Sequence, residues 1–106
     1  MQPLVKQIKL NNVQYHLNRD PEFYRRTPDQ EFRVQAFLDG SGTVDVQFEA
    51  EDRTLCETRI PLPGMFDCRF RFDTPGTRIG TLTITQGDET RRREIRLDVN
   101  EHHWIG

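Results

Sequence analysis

The chain has 106 residues, a formal net charge of −2, 30% charged residues and 34% hydrophobic ones. That length suits one domain, able to bury roughly 60 to 70% of the surface its unfolded form exposes, and leaves no room for a second. A mildly acidic balance excludes the strong basic field of nucleic-acid binders and of proteins held on anionic membranes.

Residues 1–18 place Leu4, Ile8 and Leu10 at even positions, then Val13, Tyr15 and Leu17 at odd ones, with the phase changing at Asn11-Asn12. This predicts one kinked or bulged first strand whose halves pair with different sheets. RDPEFYRRTPDQ follows, long for a connection between strands. Within it, Asp20 before Pro21 and Glu22 is a helix-start signal that predicts a short helical turn near 21–26.

From Glu31 onward the pattern is strict alternation. Phe32, Val34, Ala36 and Leu38 share one parity, and Glu31, Arg33, Gln35 and Asp39 the other, which predicts a half-buried strand. After the turn Asp39-Gly40-Ser41-Gly42-Thr43, Val44, Val46, Phe48 and Ala50 alternate with Asp45, Gln47 and Glu49. The next run carries Cys56, Thr58, Ile60 and Leu62 on one parity. A three-residue loop of Asp52, Arg53 and Thr54 would set Ala50 opposite Cys56, Phe48 opposite Thr58 and Val46 opposite Ile60. A two-residue loop would set Glu57 beside Phe48, so the odd loop is predicted.

Pro61-Leu62-Pro63-Gly64 ends that strand, because prolines cannot donate to a ladder. Phe66, Cys68, Phe70 and Phe72 form the most aromatic inward face, with Asp67, Arg69, Arg71 and Asp73 outward. Thr74-Pro75-Gly76 turns the chain again. RIGTLTIT and RRREIRLDV then flank a Gly87-Asp88 turn, and a two-residue loop pairs Thr83 with Arg92 and Thr81 with Glu94. Leu82, Ile84, Ile95, Leu97 and Val99 fall inward. Arg91 and Arg93 share that parity, and an unpaired buried guanidinium is too costly, so both are expected at the rim or turned out by a bulge.

About seven short strands in one domain predict an all-β, immunoglobulin-like antiparallel sandwich covering residues 1–106, with 100–106 as a tail. PDQEFRVQAFLDG, VDVQFEAEDRTLCETRIPL and DTPGTRIGTLTITQGDETRRREIRLDV, residues 28–99, resemble in their order bacterial immunoglobulin-like modules of the CARDB and fibronectin type III kind. The resemblance implies architecture, not an activity. Such modules usually sit in surface or secreted proteins. The inter-sheet cysteine pair and core tryptophan of antibody domains are not expected here, and the one tryptophan, Trp104, follows the last strand.

No apolar run reaches the length of a membrane span, and Met1-Gln2-Pro3 lacks the basic start and apolar stretch of a secretory signal. With Met1 as native start, a cytoplasmic location is expected. Cys56 and Cys68 would then stay reduced as small core residues. Lys6 and Lys9 are the only lysines among 15 basic residues, a bias better assigned to coding preference than to ligand recognition.

Catalytic constellations fail on geometry, and no enzyme activity and no cofactor are expected. Ser41, the only serine, sits in a glycine-flanked turn without a strand-to-helix elbow. The cysteines share parity with core residues, and Asp67 and Asp73 are what any solvated strand face shows. Arg69 and Arg71 point away from Phe70 and Phe72, so no aromatic platform accompanies the charge, and Arg91 to Arg93 are interrupted by acids; nucleic acid and membrane are not expected partners. His102 and His103 point to opposite faces in extended chain, and His16 is remote, so small-ligand or metal binding through the tail is the alternative function rather than the first.

One constellation carries the preferred reading. An immunoglobulin-like topology brings the first connection and the exit of the last strand to one end, gathering Phe23, Tyr24, Arg25 and Arg26 near His102, His103 and Trp104. Aromatic and arginine side chains are enriched in binding hot spots. The competing role is a cap on the open end of the core by Phe23 or Trp104. The expected function is a protein-interaction module using that end or an exposed strand edge, as a monomer or an edge-strand homodimer.

Overall fold

Alternating sequence becomes two stacked antiparallel sheets. The computed structural model describes residues 5–15 and 26–100. Its strands are β1 (Val5–Leu10), β2 (Val13–Gln14), β3 (Phe32–Leu38), β4 (Thr43–Ala50), β5 (Arg53–Pro61), β6 (Gly64–Phe70), β7 (Gly76–Gln86) and β8 (Glu89–Val99). One sheet has the order β2-β1-β3-β6 and the other β5-β4-β7-β8. The protein is an all-β sandwich with no helix among the described residues, and none long and apolar enough to cross a membrane. The helical turn expected near 21–26 lies outside the described residues except at Arg26, which forms a parallel bridge with Val99.

The space between the sheets is filled by the predicted parity set. Phe32, Val34, Ala36, Leu38, Val44, Val46, Phe48, Ala50, Ile60, Phe66, Cys68, Phe70, Phe72, Leu82, Ile84, Ile95, Leu97 and Val99 are all buried. At its centre Phe70 stacks on Phe32 at 5.5 Å and on Phe48 at 5.3 Å between ring centroids, with Phe72 edge-on to Phe32 and Phe70. Gly80 makes room for this arrangement. A Cβ there would lie 2.3 Å from the Phe48 ring, so the ring rests directly on the β7 backbone.

Three expectations need correction. The first strand is not one kinked element: β1 and β2 form a hairpin in the same sheet, with Asn11 and Asn12 at positive φ as its turn. A β-bulge between Val5 and Gln7 brings Val5 inward beside Ile8 and Leu10. The β4–β5 loop is the two-residue turn Glu51-Asp52, both at positive φ, with Ala50 opposite Arg53. A bulge at Leu55 then restores parity, so Phe48 faces Cys56, Val46 faces Thr58 and Val44 faces Ile60. Glu57 stays outward by this bulge rather than by a longer loop.

Arg91 and Arg93 take the first of the two places expected for them. The β7–β8 register runs unbroken from Gly76↔Val99 to Gln86↔Glu89, with Thr81↔Glu94 and Thr83↔Arg92 as predicted. No bulge turns these arginines out. They lie at the rim instead, Arg93 exposed and Arg91 half-buried, because β8 is an edge strand.

The third correction concerns the cysteines. Cys56 of β5 and Cys68 of β6 form a disulfide with a Cα separation of 5.9 Å. Both point inward from edge strands on the same side of the sandwich, so the bond joins the two sheets. Cys68 is buried as expected, whereas Cys56 is only half-buried.

Candidate functional site

The end of the sandwich at Val99 gathers the connection before β3, the β4–β5 turn, the β6–β7 connection and the exit of β8. Arg26 is placed there by main-chain pairing: its N–H donates to the Asp98 carbonyl at 3.0 Å, and its own carbonyl accepts from the Asn100 N–H at 2.9 Å. Thr27 to Gln30 then turn around Pro28. The Thr27 N–H and hydroxyl both donate to Gln30 Oε1 at 3.0 Å, and the Asp29 N–H, at positive φ, donates to the Phe72 carbonyl at 2.7 Å. Arg26 Nε donates to the Glu31 carbonyl at 3.0 Å.

Beside this turn lies a shallow cleft bordered by Asp29, Glu51, Arg53, Arg71, Asp73 and Arg78. Arg78 is its organising residue. It falls on the inward parity of β7, opposite Leu97, and lies with its guanidinium carbon 4.3 Å from the centroid of the Phe72 ring. Nη1 donates to the Thr74 carbonyl at 3.0 Å, Nη2 to the Thr74 hydroxyl at 2.7 Å, and Nε to Glu51. With a side chain 12% exposed and its donors engaged, Arg78 seals this end of the core. At the opposite end Gln86, also of inward parity, donates to the Ser41 carbonyl at 2.8 Å. Sequence reading singled out neither residue. A polar side chain of inward parity next to a turn is the signal for such a seal.

The second surface runs along β8. Tyr15, just past β2, accepts the Arg96 N–H on its hydroxyl at 3.1 Å. A groove borders this contact, lined by Ile8, Tyr15, Ile79, Thr81, Arg92, Arg93, Glu94 and Arg96, three arginines against one acid. Ile79 is 49% exposed, a large apolar side chain in solvent on the outer face of β7. Arg96 is partly committed, since its Nε donates to Asp98 Oδ1 at 3.0 Å.

Of the predicted partner-binding residues, Arg26 is placed at the end of β8, while Phe23, Tyr24, Arg25 and Trp104 lie outside the described residues. His16, His102 and His103 do so as well. Among the described residues no three His, Cys, Asp or Glu side chains come together to hold a metal. The disulfide consumes both thiols, so neither cysteine is an available nucleophile.

The two candidate carboxylates serve separate surfaces. Asp73 borders the Arg78 cleft. Asp67 lies on the outer face of β6, where Arg33 meets it through Nε at 2.9 Å and Nη2 at 3.1 Å. That fork holds the Asp67 carboxyl below its ordinary pKa and raises that of Arg33. Arg69 and Arg71 are exposed and Phe70 and Phe72 buried, so no base-stacking platform forms. Comparison with protein-family models and with curated proteins finds no match to this chain.

Proposed function

We propose that the chain is a non-enzymatic interaction module of the immunoglobulin-like, fibronectin type III kind, which binds a protein partner through the end of the sandwich where β8 exits. The strand order supports the architecture. β1, β3 and β6 take the places of immunoglobulin strands A, B and E, and β4, β7 and β8 those of C, F and G. β5 pairs with β4 in the second sheet, as strand C′ does, rather than joining the first sheet as D.

The observation that carries the binding reading is the pairing of Arg26 with Asp98 to Asn100. It sets Arg26 beside the exit of β8, while Tyr24, Arg25 and Trp104, proposed to complete the surface, lie outside the described residues. Replacing those three by alanine tests it. Loss of partner capture from the native host with an unchanged melting temperature is the expected result, and a large fall in melting temperature would assign the residues to capping the core.

The disulfide supports a different compartment from the cytoplasm, because such bonds persist where the surroundings are oxidising. Protein drawn from its native host under acid quench should leave Cys56 and Cys68 unmodified by an alkylating agent until reductant is added. Immediate alkylation of both would return the chain to a reducing compartment.

A further inference from the structure

We propose that the edge of β8 at Thr90, Arg92 and Glu94, which no strand among the described residues covers, takes up an extended, acidic segment of a partner protein as an added strand. This rests on the interaction-module reading and specifies the surface and the partner's chemistry.

The main-chain geometry comes first. β8 is the last strand of its sheet, and its register with β7 is continuous over the whole strand. The Arg96 N–H and the Asp98 carbonyl both point away from β7, to Tyr15 and Arg26. In an antiparallel ladder outward-facing residues alternate, so Thr90, Arg92 and Glu94 present their N–H and C=O groups to the same side. Tyr15 and Arg26 occupy that side only from Arg96 onward, and they fix where an added strand must stop.

Charge selects what fits. Arg92 and Arg93 are exposed, and neither forms an ion pair among the described residues. As neighbours in a strand they project from opposite faces, Arg92 from the outer face and Arg93 from the inner rim. An incoming strand places its own consecutive residues on those same two faces, so an adjacent pair of carboxylates meets both guanidinium groups at once. Ile79 and Ile8 in the bordering groove give apolar flanking residues a surface to cover. A second copy of this chain is disfavoured in the register centred on Arg92, where antiparallel pairing of two β8 edges sets Arg92 against Arg92 and Arg91 against Arg93.

The probe is an eight-residue peptide, Val-Thr-Val-Glu-Glu-Val-Thr-Val, compared with its Lys-Lys counterpart by titration at low salt. The Glu-Glu peptide should bind about tenfold more tightly, with slowed hydrogen exchange at the amides of Thr90, Arg92 and Glu94. Arg92→Pro removes an N–H that the β7 ladder does not use and should abolish binding at an unchanged melting temperature. Should that variant fold poorly, the double change Arg92→Glu and Arg93→Glu should reverse the preference toward the Lys-Lys peptide.

Equal affinity for the two peptides, no binding of either, binding without amide protection, or a β8-to-β8 dimer would overturn the proposal. A partner from the native host that Arg92→Pro captures as well as the unaltered chain does would sink the edge proposal alone. The module reading would survive it.

Discussion

The two long sides of the sandwich are closed by different means. On one side the edge strands β5 and β6 are joined by the Cys56–Cys68 bond. On the other, β8 meets the Tyr15 hydroxyl, just past β2 of the opposing sheet, and the main chain of Arg26, ahead of β3. Burial explains the division. β5 contributes one buried side chain, Ile60, and its inward Thr58 is exposed, so apolar packing does little to hold it. β8 buries Ile95, Leu97 and Val99 and needs no covalent tie. A covalent seam supports a thinly packed strand, and a hydrogen-bonded seam leaves an adaptable edge beside a well-packed one.

The largest test of this contrast is removal of the covalent seam. Changing Cys56 and Cys68 together to alanine should cost about 3 kcal/mol, the loop-closure value for a disulfide of this span, read as a lower urea midpoint. Reduction of the unaltered chain should give a similar loss. If both leave the midpoint unchanged, β5 is held by packing and the contrast fails.

On the opposite side, Asn11→Ala should cost about 2 kcal/mol in the same assay, since alanine tolerates the left-handed turn poorly and the part-buried Arg33 N–H would lose its acceptor. Asn11 sits at φ 55° and accepts that N–H on Oδ1 at 2.9 Å. Tyr15→Phe removes a single acceptor from Arg96 and should cost about 1 kcal/mol, with faster hydrogen exchange at Arg96.

The smallest effect is expected from Asp67→Asn, on neither seam. The Asp67 pKa is lowered by its hydrogen bonds from Arg33, so its stabilisation is present above the unfolded carboxylate range and disappears as pH falls through the folded value. The pair is part-exposed, which keeps the effect small. Melting temperatures of the variant and the parent should therefore differ slightly at neutral pH and converge in acid.

The middle of the fold was legible because strands buried on one face repeat every second residue. β3, β4, β6 and the β7–β8 register follow directly from it. Where a bulge inserts one residue, parity alone misleads: at Leu55 a two-residue turn and a bulge imitate a three-residue loop. β2, with two residues, is too short to show a period, so its hairpin read as a kink.

The disulfide was illegible for a different reason. Two cysteines 12 apart on separate strands carry no spacing signal, and only the sheet assignment of β5 and β6 brings them together. At the candidate site, topology placed Arg26 beside the exit of β8, but Tyr15 and Arg78 act through contacts across the fold that no local pattern records.

The covalent tie also bears on how the molecule responds to pulling. The strands β1 and β8 begin and finish at opposite poles, so tension applied at Val5 and Val99 runs the length of the sandwich. While the sulfur bridge is intact, the chain between its two cysteines cannot be drawn out. The fully extended molecule is then shorter by about 35 Å than its reduced counterpart, allowing about 3.4 Å per residue and subtracting the distance the bridge itself spans.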